Sequence, residues 1–144
     1  IFVETYEELQ EVFKGIDGNI LNTTGSNNAL KIENLKGENN RMIHRILPSP
    51  KVISKLLDNG ISMDNIIAIK GPFGFEINNG IIKEYKIKAL ITKDSGEEGG
   101  MKEKIDSALL NDVKIIVIKR PNMSYGIEFN DIKEMLNFIV LNNI

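Results

Sequence analysis

The chain contains no cysteine. That absence removes disulfide frameworks, thiolate zinc sites and cysteine nucleophiles together, and it fits a reducing compartment, so the cytoplasm is the expected location. With a single histidine, His44, there is also too little imidazole for a transition-metal site, and no metal is expected. Long apolar runs are missing: the longest, at 66–69, 89–91 and 115–118, fall far short of the roughly 20 residues a spanning helix needs, and no membrane segment is expected. Charge of one sign is not in excess either. Eighteen Lys and Arg stand against 20 Asp and Glu, a formal net charge of -2, so no global positive field draws the protein to nucleic acid or an anionic membrane. Any basic site must be local. The chain opens on Ile1-Phe2-Val3 without an initiator Met and without a signal-peptide pattern, and is expected to be a fragment of a longer protein.

What is present is enough for one domain over 1–144. At 144 residues and 42% hydrophobic, the chain can bury roughly two thirds of its unfolded surface. Thr5 with Glu8 forms a capping-box pattern ahead of an amphipathic helix over 6–14, stopped by Gly15 and Gly18. Short strands are expected at 1–3 and 19–21, a helix over 27–35, and an extended segment at 41–47 that Pro48-Ser49-Pro50 must end. A helix follows over 51–58 and stops at Asn59-Gly60. From there strands at 65–69, 89–92 and 114–118 alternate with helices at 75–85, 101–111 and 130–141. Continuous Ile/Val/Leu strands separated by helices of about ten residues predict an α/β fold: a three-layer, Rossmann-like domain with a mainly parallel sheet of about five strands and helices on both faces. The expected strand order is flavodoxin-like.

In such a sheet, ligands bind beyond the carboxyl ends of the strands. That rule selects the turns 22–26, 47–50, 70–75, 93–100 and 119–121. The turn from Thr92 through Lys93, Asp94, Ser95 and Gly96 to Gly100 combines a cation, hydroxyls and three glycines. It can surround a phosphate or carboxylate with N–H groups and an ammonium, or it can be a flexible turn whose glycines permit positive φ; it is not a Walker loop. Gly71-Pro72-Phe73-Gly74 can form a hydrophobic floor under a planar ligand, or tuck Phe73 into the core. Asn22-Thr23-Thr24-Gly25-Ser26 can donate to an anion or cap the next helix. Alternation along 41–47 points Arg41 and Arg45 to one side and His44 to the other; the lone histidine reads as a packing or surface residue, with proton donation as the alternative. Glu97 and Glu98 read as solvated. Lys119-Arg120-Pro121 invites comparison with phosphoryl receivers, but the acidic cluster and phosphoacceptor Asp that receivers need are replaced by Glu4-Thr5 and Leu47-Pro48-Ser49-Pro50. No Gly-x-Ser-x-Gly elbow is present, so hydrolysis has no candidate nucleophile.

Taken in order, Thr23-Thr24-Gly25-Ser26, Arg45-Ile46-Leu47-Pro48-Ser49, Asn65-Ile66-Ile67-Ala68-Ile69-Lys70-Gly71-Pro72-Phe73, Thr92-Lys93-Asp94-Ser95-Gly96 with Gly99-Gly100, and Ile116-Val117-Ile118-Lys119-Arg120-Pro121 are similar to the C-terminal half of the precorrin-6A and cobalt-precorrin-6A reductases. The resemblance spans about 21–121. One departure stands out: the family commonly carries Ser-Glu or Thr-Glu after Gly-Pro-Phe, where this chain has Gly74-Phe75-Glu76 with Asn78, so a hydroxyl at 74 is missing.

The resemblance implies a two-domain enzyme of cobalamin biosynthesis that transfers hydride from NADPH or NADH to a double bond of a corrin-precursor tetrapyrrole. Its N-terminal domain would be absent here, leaving the fragment inactive alone. Hydride transfer needs no protein nucleophile, and no catalytic residue is assigned. The acetate and propionate groups of the macrocycle would suit a ring of Arg45, Lys70, Lys93 and Arg120 at the strand ends. The residues expected to hold cofactor or substrate are Thr24, Gly25, Ser26, Arg45, Pro48, Ser49, Gly71, Pro72, Phe73, Lys93, Asp94, Ser95, Gly96 and Arg120. They are expected to converge on one rim. The rival expectation is a non-catalytic sensing or interaction module on the same scaffold, which glycine at 74 favours.

Overall fold

A computed structural model describes residues 1–94, 100–119, 127, 129 and 131–142. The elements run β1 (Phe2–Val3), α1 (Leu9–Lys14), β2 (Gly18–Asn22), α2 (Ala29–Leu35), β3 (Asn40–Ile46), α3 (Pro50–Asp58), a 3-10 turn (Met63–Asn65), β4 (Ile66–Ala68), α4 (Phe75–Glu84), β5 (Ile87–Lys93), α5 (Met101–Leu110), β6 (Lys114–Ile118) and α6 (Ile132–Asn142). The local signals are visible at several ends. Pro50 occupies the first turn of α3, where its missing N–H costs nothing. At the end of α5 the Val113 N–H reaches back to Ala108 O at 2.9 Å and the Asp112 N–H to Leu109 O at 3.2 Å, a Schellman closure with Asp112 at φ 54. The Thr5–Glu8 signal is half realised: Glu8 Oε1 accepts from both the Thr5 N–H and hydroxyl at 3.1 Å. Regular helix begins only at Leu9, because the Thr5 hydroxyl turns to Glu8 instead of capping a backbone N–H.

All strand pairs are parallel, in one sheet of order β1-β6-β5-β2-β3-β4. The parallel α/β sheet is as expected, with six strands among the described residues, but one expectation is corrected: the order is not flavodoxin-like. From β2 onward it follows the 3-2-1-4-5 order of dinucleotide-binding folds, with β1 added beyond β6. The reason lies in β1: two residues long, with Phe2 68% exposed, it has too little apolar surface to occupy the centre, and among the described residues it pairs only with β6.

Alternation sends neighbouring side chains to opposite layers. Ile20, Met42, Ala89, Ile91 and Ile116 pack with Leu9, Phe13 and Ile32 beneath α1 and α2. Leu21, Ile43 and Leu90 pack with Ile82, Ala108 and Val113 beneath α4 and α5. A smaller cluster of Ala29, Ile46, Leu56 and Ile61 seats α3. Burying each such Leu or Ile contributes about 1.5–3 kcal/mol, which anchors the three-layer arrangement. Strand order reverses between β2 and β5, and there the two crossovers diverge and leave a crevice.

Candidate functional site

Because every strand is parallel, the carboxyl ends of β2, β3, β4, β5 and β6 share one rim. Thr23 ties the exit of β2 to β5: its N–H and hydroxyl both donate to Ile91 O, at 2.9 and 2.8 Å. Beside it opens a cavity of about 310 Å³ lined by Thr23, Arg45, Leu47, Gly71, Pro72, Phe73, Asn78, Gly100 and Lys104. Arg45 leaves β3 on the α4 side, where Nη1 donates to Asn78 Oδ1 at 2.8 Å and the guanidinium lies 4.9 Å from the centre of the Phe73 ring. Asn78, buried in α4, uses Nδ2 to hold the carbonyls of Phe73 (3.2 Å) and Gly74 (2.9 Å). One amide thus fixes both the cation and the turn that floors it.

Two glycines are required by this packing. A Cβ on Gly71 would lie 2.9 Å from Phe73 Cε2, and Gly100, at φ +61, starts α5 in the left-handed region against Pro72. Gly74 has no such constraint: a Cβ there meets open space, and it heads α4 without a side-chain cap.

The second cation is Lys104 of α5, 7% exposed, whose Nζ donates to Thr92 Oγ1 at 3.2 Å. Burial lowers its pKa to about 8, helped by the charge of Arg45. Burial likewise lowers Arg45 to about 10. Among the described residues no carboxylate forms an ion pair with either group. Two half-desolvated cations without an internal anion are unfavourable by themselves, and an anionic ligand entering the cavity relieves both. The arrangement can bind and orient carboxylate or phosphate, with Phe73 and Pro72 as its apolar floor.

Of the residues expected at the site, Arg45, Gly71, Pro72 and Phe73 come together in this cavity. The other described residues of that set do not line it. Thr24 is buried behind the rim, its N–H and hydroxyl both donating to Asn22 Oδ1 at 2.9 and 2.8 Å. Gly25, at φ +89, turns the chain toward Ser26, which lines a separate recess of about 250 Å³ with Asn27, Leu30, Val52, Lys55 and Leu56. Pro48 is exposed, and Ser49 precedes α3 without a side-chain cap. Lys93 and Asp94 are exposed at the end of β5, where the Asp94 N–H donates to Ile118 O at 3.1 Å. Lys70 is exposed as well. Ser95, Gly96 and Arg120 lie outside the described residues, as does most of the glycine-rich turn after β5.

The sequence reasoning missed Lys104. A signal existed: Lys104 sits three and four residues before Ser107 and Ala108, on the face that α5 buries, while Leu109 and Leu110 stay 66% and 65% exposed. A helix that buries a lysine and exposes two leucines has its polarity inverted for a reason other than packing.

Fold and cavity define an open α/β domain of dinucleotide-fold topology with a cationic, apolar-floored crevice beside its switch point. The family model described as precorrin-6x reductase CbiJ/CobK matches residues 1–140, and the chain belongs to that family. It is 34% identical over 140 residues to the cobalt-precorrin-6A reductase of Methanocaldococcus jannaschii, covering 96% of this chain and 54% of the relative. The cobalt-precorrin-6A reductase of Priestia megaterium is likewise 34% identical over 140 residues, covering 96% and 55%. A solved structure, CobK precorrin-6A reductase, superimposes with a TM-score of 0.70 at 12% identity, over 97% of this chain and 54% of that one, and so supports the fold. The chain therefore spans about half the length of the relatives it matches.

Proposed function

We propose that this chain is the substrate-gripping, C-terminal half of a nicotinamide-dependent reductase acting on precorrin-6A or cobalt-precorrin-6A in cobalamin biosynthesis. The observation that carries the reading is the pairing of buried Lys104 with half-buried Arg45, neither with an ion-paired carboxylate among the described residues. A corrin precursor is a large apolar ring fringed with acetate and propionate groups. Arg45 with its fixed planar fork binds one carboxylate bidentately, Lys104 supplies a point charge deeper in the crevice, and Phe73 with Pro72 meets the edge of the ring. Thr23 and Asn78 hold the walls in place, so the acceptor carbon is oriented by contacts made before reaction.

NADPH or NADH, when bound, supplies the hydride delivered to a double bond of the macrocycle. The fit of this chain to the nucleotide is partial. The turn after β2 carries one glycine, Gly25, in place of a glycine-rich fingerprint, while the cation pair suits phosphate as well as carboxylate. The main nucleotide loop is therefore assigned to an N-terminal domain that shares the cleft, and the assembled enzyme to the cytoplasm. The protein's contribution from this half is to hold the acidic periphery of the substrate and exclude water from the crevice.

The test is to mix the full-length protein with precorrin-6A, or its cobalt counterpart, and reduced nicotinamide, and follow nicotinamide oxidation. Turnover with either substrate, with KM raised by Arg45→Met, is expected; no turnover with both ends the reading. Glycine at 74, where the family carries a hydroxyl, favours a non-catalytic sensing module. That alternative predicts tetrapyrrole binding with no response to nicotinamide even in the full-length protein.

A further inference from the structure

Behind the rim runs a buried polar chain that the cation pair does not use. Lys36, just past the end of α2, pairs with Glu33 of α2, and Glu33 Oε2 lies 2.9 Å from His44 Nε2. His44 Nδ1 lies 3.0 Å from Asn22 Nδ2, and Asn22 Oδ1 accepts from Thr24. Asn22 and His44 are 0% exposed, on adjacent strands and in register with one another. No buried side-chain nitrogen or oxygen among the described residues lacks a partner. Such a network costs desolvation at every member unless all are satisfied, so its orientation is narrowly determined.

One backbone group settles that orientation. The Thr24 N–H can only donate, and it points at the Asn22 amide from 2.9 Å, so the atom it meets must be Oδ1. The other end of the amide is then NH2, which can only donate, and it faces His44 Nδ1. Nδ1 must accept, and the ring proton sits on Nε2, directed at Glu33. A proton on Nδ1 would oppose the Asn22 NH2. Rotating the amide to relieve that conflict would set NH2 against the Thr24 N–H. No orientation of Asn22 serves both.

We infer that His44 is a positioning residue: locked as the Nε2–H tautomer, it fixes Asn22, through Asn22 the turn 23–26, and through that turn the Thr23 wall of the anion cavity. The inference rests on the reading of that cavity as the substrate site. His44 and Arg45, neighbours on β3, divide the work between the two faces of the sheet, one setting the turn and the other meeting the ligand. A histidine is suited to this place because its two ring nitrogens carry opposite roles, acceptor toward β2 and donor toward α2.

His44 is the single histidine of the chain, so the imidazole resonances are unambiguous. Long-range 1H–15N spectra of the labelled chain at about pH 7.5 should show a bare Nδ1 and a protonated Nε2; a proton on Nδ1 overturns the inference. Loss of a buried hydrogen bond in His44→Leu should speed exchange of the Thr24 amide about tenfold. In the full-length reductase the same variant should raise KM for the macrocycle about tenfold, with kcat within about twofold. His44→Gln offers an amide oxygen to Asn22 and an NH2 to Glu33, and should recover both exchange and KM to within about threefold of wild type. Equal behaviour of the Gln and Leu variants overturns the inference. Absence of reductase activity in the full-length protein would end the proposed function instead, and the tautomer and exchange measurements would still decide the role of His44.

Discussion

Lys104→Met is the most exacting test of the cation pair, because its effect on stability has a sign opposite to that of most core substitutions. Burial and the charge of Arg45 bring the Lys104 ammonium from 10.5 to about 8. The difference, 10.5 − 8, is about 2.5 pH units, and at about 1.36 kcal/mol per unit the charged form is penalised by roughly 3 kcal/mol in the folded state. Met fills nearly the same volume without that penalty and forfeits the hydrogen bond to Thr92, worth about 1 kcal/mol. At pH 7 the variant should therefore be more stable by about 2 kcal/mol, or roughly 4–8 °C in Tm for a chain of this size. The pH dependence fixes the cause. Between about 8 and 10.5 the folded protein has released the Lys104 proton while the unfolded chain retains it, so wild-type stability rises with pH relative to the variant. Below pH 8 the proton is bound in both states and the difference is level; near 10.5 the advantage of Met should have reversed to a deficit of about 1 kcal/mol. Urea unfolding of both proteins across that range, followed by circular dichroism with the m-value checked for constancy, measures this directly. Parallel stability curves, or a variant weaker than wild type at pH 7, would refute the reasoning. A multivalent carboxylate should also stabilise the wild type at pH 7, by about 2.7 kcal/mol at a hundred times its Kd, and the variant far less.

Gly71→Ala places a methyl 2.9 Å from Phe73 Cε2, so the ring must swing away from Arg45. Titration with the same carboxylate should show about 3–10-fold weaker binding, in line with loss of a cation–π contact, with the domain still folded. Asp112→Gly removes the strain of a non-glycine residue at φ 54 in the Schellman closure of α5, and chemical unfolding should show a gain of about 1 kcal/mol. For Glu33, burial pushes the carboxyl up, but hydrogen bonds from His44 and Lys36 outweigh it and hold the pKa below the ordinary 4.5. The resulting stabilisation is present above pH 4.5 and is lost as pH falls through the lower folded value; Glu33→Gln should therefore lose less stability than wild type on acidification below 4.5, read from Tm against pH.

Much of the domain was legible along the chain because its determinants are local. The runs at 89–91 and 115–118 are apolar on every side chain, which only a strand covered on both faces can use, and β5 and β6 lie there. Gly, Pro and Asn marked the ends of α3 and the turn after β4 within a residue or two. Parallel strands then place all carboxyl ends on one rim, which made Arg45 and Gly71 to Phe73 readable as a candidate site, and the ordered turns carried the resemblance to the reductase family.

Strand order was not legible, since crossovers of similar length serve either order; the exposed, two-residue β1 was displaced to the edge by competition for burial among strands distant in sequence. Nor could spacing reveal that Lys104 of α5 would approach Arg45 of β3, that Asn78 would join Arg45 to the Phe73 turn, or that Thr24 would dictate the tautomer of His44. Periodicity tells a residue which face of its own element it occupies. Which foreign side chain it meets there, and how far water is excluded from the meeting, depends on how the elements stack, and those two quantities set the pKa of Lys104 and the chemistry of the crevice.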